Sequence, residues 1–65
     1  MLKPSEITDK LPVSHRQFAV LLAKELGTNP VTERVWWANT RRHDRFTKQA
    51  YHKYVAIKKI MKRLV

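Results

Sequence analysis

The spacing of apolar positions divides the chain into four segments. Ser5 can cap a short helix from about Glu6 to Lys10, in which Ile7 and Leu11 stand one turn apart. Leu11-Pro12-Val13 interrupts it, because proline disfavours helix in the residue before it. Ser14 then caps a second helix, His15–Leu26, whose inward stripe is Phe18, Leu21, Leu22 and the stem of Glu25 at i, i+3, i+4, i+7. Gly27, the one glycine, stands where a left-handed helix stop belongs.

Thr28-Asn29-Pro30 is a loop signal. Val31 to Trp37 is rich in β-branched and aromatic residues, which predicts a strand at Arg34–Trp37. The polar Ala38–Asp44 reads as its turn, and Arg45-Phe46 as the returning strand. Thr47 caps a last helix to about Leu64, with Tyr51, Tyr54, Ile57, Met61 and Leu64 on its apolar face. The expected fold is therefore mainly α with a small β-hairpin. It is a single domain over residues 1–65, a winged helix-turn-helix closed by a C-terminal helix.

With 65 residues there is room for one small core and none for a catalytic cleft with its supporting shell. Cysteine is absent, which removes disulfides and thiolate chemistry. No apolar run has the length of a membrane span or a signal peptide core, so a cytoplasmic protein is expected. Charge changes the picture more. The net charge is +9, and residues 34–65 carry all of it, with ten Lys and Arg against Asp44 alone. So lopsided a distribution is an electrostatic footprint for a polyanion, double-stranded DNA first.

In this reading Ile7, Leu11, Val13, Phe18, Leu21 and Leu22 pack the first two helices into a corner. His15, Arg16, Gln17, Ala19, Val20, Ala23 and Lys24 are left on the outer surface of the second helix. The N-terminal part of a recognition helix is what reaches base edges. Arg16 could donate twice to guanine and Gln17 could pair with adenine, while Ala19 and Val20 would allow close approach and touch a thymine methyl. The hairpin would carry Thr40, Arg41, Arg42 and His43 at its tip and Arg34 and Arg45 on its strands, a cationic wing for phosphates or a minor groove. Because adjacent strand residues face opposite ways, only one of Trp36 and Trp37 should enter the core beneath the last helix, beside Phe46 or Tyr54.

The stretches LKPSEITDKLPVSHRQFAVLLAKEL and RVWWANTRRHDRFTKQAYHKYV resemble the winged helix-turn-helix excisionases of mobile elements and, more broadly, the MerR-like DNA-binding superfamily. The likeness covers nearly the whole chain through its order of segments. It implies a DNA-binding accessory factor that directs a site-specific recombinase (an integrase) toward excision and can double as a transcriptional repressor. It places Arg16, Gln17 and Val20 at base-reading positions and Arg41 and Arg42 at the wing tip. Ala19 and Val20 stand where such proteins often carry arginine, and the Gly27–Glu33 loop is long, two departures that thin the contacts and loosen the wing's angle.

A second stretch, VWWANTRR, is similar to the recognition helix of homeodomains. That likeness implies helix over residues 31–45 and an Asn39–adenine pair. Pro30 near its start, Glu33 at a position that should be apolar, and the short chain before it favour the winged reading.

Other classes find less support. His15, His43 and His52 have neither metal-ligand spacing nor a nucleophile beside them, so no enzyme, metal or cofactor is expected. The basic amphipathic last helix could lie on a membrane, but a small core needs its apolar face. A protein-interaction module is the stronger rival: VAIKKIMKRLV could pair with a second copy, giving a homo-oligomer or cooperative assembly on DNA, or dock a recombinase.

Overall fold

The computed structural model describes residues 1–64 and is helical where a hairpin was expected. Helix α1 spans Pro4–Thr8, α2 His15–Leu26, α3 Pro30–His43 and α4 Tyr51–Leu64, with a 3₁₀ turn at Lys48–Ala50 leading into α4. Among the described residues there is no strand, so the winged architecture is overturned: there is no β-hairpin and no wing.

Helix α2 follows its sequence signals closely. The Ser14 hydroxyl accepts from the Gln17 backbone N–H at 3.1 Å, and Gly27 ends the helix in the left-handed region at φ 69°. The Gly27 N–H donates to the Ala23 carbonyl, as does that of Thr28, so both close on one carbonyl of the last turn. Only three residues, Gly27-Thr28-Asn29, separate α2 from α3, and these two helices make the most extensive pairing in the fold.

Asn29-Pro30, a loop signal by composition, is the start of α3. The Asn29 side chain accepts from the Val31 N–H at 2.8 Å, and Pro30 occupies the first helical position, where its missing N–H costs nothing. Asp44 ends the helix in the left-handed region at φ 54°. The β-branched and aromatic run Val31–Trp37 favours a strand locally, and tertiary packing overrides that preference. The inward residues Glu33, Trp37 and Thr40 are buried and spaced four and three apart, a helical period masked in the sequence because two of the three are polar. Trp36 is half-buried and Trp37 fully buried, one step apart around a helix rather than on opposite faces of a strand.

The core is built around Trp37, which meets Phe18 at 5.1 Å between ring centres and stacks over Phe46 at 6.4 Å. Phe46 meets Tyr54 edge-on at 5.0 Å. Ile7, Leu22, Ile57 and Ile60 complete it, and Leu21, Met61 and Leu64 pack around its margin. Tyr51, expected on the apolar face of α4, is exposed, while Ala56 and Ile60 are buried in that helix instead.

Helix α1 begins earlier than expected, with Lys3 rather than Ser5 as its cap and Pro4 buried at its first position. Ser5 is engaged elsewhere: Asp44 at the end of α3 accepts from both its N–H (2.9 Å) and its hydroxyl (3.1 Å). On the other side the Leu2 N–H donates to the Tyr54 hydroxyl at 3.0 Å, so α1 is tied to both α3 and α4.

Candidate nucleic-acid interface

Helix α3 is held on its inner side by three kinds of contact. Trp37 supplies apolar packing, and its indole N–H donates to His15 Nδ1 at 3.2 Å. Glu33 is 1% exposed, and its two oxygens are matched by Lys53 Nζ from α4 and by the Thr28 hydroxyl, each at 2.8 Å. A buried carboxylate is tolerable only when paired and hydrogen-bonded, and both conditions are met here. The Lys53 ammonium also lies 4.7 Å from the centre of the Trp36 ring. The Asp44–Ser5 bonds anchor the far end of the helix.

The opposite side of α3 faces solvent. Val31, Arg34, Val35, Ala38, Asn39 and Arg42 recur at helical spacing and are all exposed, Val31 at 61% and Val35 at 56%. No exposed acid stands on this helix, because its only one, Glu33, points inward and is neutralised. Arg42 Nη2 approaches Asn39 Oδ1 at 3.4 Å, a loose contact that leaves both side chains able to engage a ligand. The face thus offers two arginines, one amide and three small or branched apolar groups on a rigid rod.

The residues expected to read DNA on α2 divide. Arg16, Gln17, Val20 and Lys24 are exposed as expected. Ala19 and Ala23 are not: both are buried, each 1% exposed. His15 is half-buried and faces the core side of α3. Its pKa is held below the ordinary 6.5, first by burial and then by the charge of Arg41, so the neutral ring that accepts from Trp37 is favoured.

The supposed wing residues divide as well. Thr40 is buried, with 8% of its surface exposed, so it cannot stand at a tip. Arg41 is half-buried beside Ser5, Thr8 and Asp9, and its Nε is enclosed without a hydrogen-bond partner among the described residues. Arg42 lies on the outer face of α3, His43 is exposed in its last turn, and Arg45 is exposed in the connection to α4 near Lys48. Only Arg42 of the five therefore joins the α3 surface described above.

Across the turn, Arg16 and Val20 of α2 meet Pro30, Val31 and Arg34 of α3 around a shallow depression of about 190 Å³. Arg16 and Val20 belong to the expected reading helix and Arg34 to the expected wing, whereas Pro30 and Val31 belong to neither. Val31 lies ahead of the expected strand, Val35 on it and Ala38 in the expected turn, so the sequence reading gives the three no common face. The signals that could have found them are the Asn29-Pro30 start and the basic last turn, Arg41-Arg42-His43, both marks of a helix.

Among the described residues no helix is long and apolar enough to cross a membrane, and no group of three or more His, Asp or Glu could hold a metal ion. No family model, curated protein or solved structure matches the chain.

Proposed function

We propose that this protein binds double-stranded DNA by laying α3 in the major groove, with α2 crossing the sugar–phosphate backbone above it. The observation that carries this reading is the outer face of α3: Arg34, Val35, Ala38, Asn39 and Arg42 are aligned and exposed, with no acid among them. Two helices joined by a three-residue turn containing glycine match the helix-turn-helix arrangement, in which the second helix meets base edges. The chemistry of the face suits a groove floor. Asn39 can pair in bidentate fashion with adenine, an arginine can do the same with guanine, and valine methyls can pack on thymine methyls. The exposed cations of α2 and of the connection to α4, Arg16, Lys24, Arg45 and Lys48, supply phosphate contacts.

The test is titration with duplex DNA over a range of salt. Affinity should fall linearly on a log–log scale as neutralised phosphates recover their counterions. Selection from random duplexes should then return a preferred site whose preference depends on α3. Absence of binding at low salt, or a selected site unaffected by changes on α3, would overturn the reading.

The two likenesses in the sequence lead to different biology from this shared chemistry. Helical structure over Pro30–His43 favours the homeodomain-like reading, a transcription regulator whose Asn39 meets adenine. The recombination role implied by resemblance to excisionases leaned on a hairpin, and its distinguishing mark is now genomic. Phased sites flanking an attachment site would indicate excision, and a single site over a promoter would indicate regulation.

A further inference from the structure

An apolar groove of about 270 Å³ opens between α1 and α4, sharing no residue with the α3 face. Its floor is Ile7 and Ile57, both buried, and its sides are Leu2 and Met61, both half-buried. Its rim is Lys10, Lys58 and Lys62, all exposed. None of these lysines belongs to either ion pair found among the described residues, Lys53–Glu33 and Arg63–Glu25. Lys58 leans toward the Tyr54 ring at 6.0 Å, and among the described residues no acid lines the groove. The two acids of this neighbourhood are turned away: Asp9 lies on the far side of α1 with Arg41, and Glu6 accepts from the Lys3 backbone N–H.

From this pairing of an apolar floor with an unopposed cationic rim, we infer that the α1–α4 groove docks an acidic amphipathic helix of a partner protein. The groove is smaller than the roughly 300–1,000 Å³ typical of small-molecule sites, and it is a trough rather than an enclosed cavity. Such a shape suits the aliphatic anchors of a helix laid along it, spaced i, i+3, i+4 and i+7. Met61, unbranched and polarizable, lets one wall adapt to the anchors it receives. Carboxylates flanking those anchors meet Lys10 on one bank and Lys58 and Lys62 on the other, which sets orientation and speeds encounter. Because α3 contributes nothing to the groove, the partner helix and DNA can be bound together.

The probe is a synthetic helical peptide with leucines at those four positions and Asp and Glu on its flanks, titrated into the full chain and followed by NMR. Saturable shifts at Leu2, Ile7, Ile57 and Met61 are expected, with affinity falling as salt rises. A scrambled peptide of identical composition should bind at least about tenfold more weakly. The surface variant K58E/K62E should lose a similar factor while its duplex-DNA affinity through α3 remains measurable, and M61E, checked for an unchanged fold, should block the peptide. Equal binding of the scrambled peptide, shifts outside the groove, or no saturable binding would overturn the inference. So would insertion of anionic phosphatidylglycerol vesicles into the groove without peptide binding, or mapping of duplex DNA onto Lys58 and Lys62 in its place. Failure of DNA binding alone would remove the proposed function and leave this inference standing.

Discussion

Lys53 reaches from α4 to set its ammonium 2.8 Å from the Glu33 carboxylate on the buried side of α3, joining residues 20 positions apart. Glu33 is 1% exposed at the side chain and Lys53 18%, so the pair is sheltered on one partner and partly wet on the other. It fixes how α3 is seated, and so which side chains α3 presents.

Removing one partner strands the other. Lys53→Met should destabilise the protein by about 2–4 kcal/mol, below the full cost of breaking a deeply buried pair because Lys53 retains some solvent. A core this small supplies no more than about 3–5 kcal/mol, so the variant should sit near its unfolding threshold in urea denaturation. Adding Glu33→Leu should restore most of the loss, since an apolar pair of similar size removes the buried charge. A single variant as stable as the parent would show that the pair contributes nothing.

Burial of His15, with the charge of Arg41 nearby, should make stability depend on pH. The folded state holds the His15 pKa below its ordinary value, so the unfolded chain binds the proton more readily between the two. The contribution is therefore present in full above about pH 6.5 and is lost as pH falls through the folded value. Replacement by Asn, whose amide oxygen can stand near Nδ1, should flatten the stability profile in that window. Parallel profiles for parent and variant in chemical denaturation would exclude His15 as the source.

On the α3 face, Asn39→Ala should cost about 1–3 kcal/mol of discrimination at one base position. Arg42→Ala should weaken binding, whereas Arg41→Ala, tucked against α1, should leave affinity nearly unchanged and act on stability. Arg16→Ala should lower the salt slope by about 1 if its contact is to phosphate. Binding-site selection and salt titration of each variant read these separately. Equal losses for Arg41 and Arg42 would contradict the placement of the two side chains.

Asp44 combines a left-handed backbone with two bonds to Ser5. Those bonds, from the Ser5 backbone first and its hydroxyl second, hold the Asp44 pKa below the ordinary 3.8. The tether is thus intact above the ordinary carboxylate range and is lost as pH falls through the folded value. Asp44→Gly should be more stable than Asp44→Ala, because glycine accepts φ 54° without strain. Asp44→Asn should lie above both, keeping one acceptor and a residue that tolerates this conformation. The order of urea midpoints checks this ranking.

Where a helix is defined by neighbours three and four residues away, the sequence was enough. Ser14, the stripe Phe18–Leu22 and Gly27 determine α2 within its own span, and the Tyr54 and Ile57 face points to the last helix in the same way, although Thr47 makes no side-chain capping bond and α4 begins only at Tyr51, after the 3₁₀ turn. The basic second half of the chain was also plain from composition. Helix α3 was a different case, because Val31–Trp37 prefers a strand locally and Glu33 looks misplaced on an inward face. Only tertiary contacts resolve that conflict: Lys53 and Thr28 neutralise and bond Glu33, and Phe18, His15 and Phe46 enclose Trp37. Those partners come from other segments, so no local pattern records them. They turned Thr40 inward, left Arg42 outward, and moved the candidate reading surface from α2 to α3.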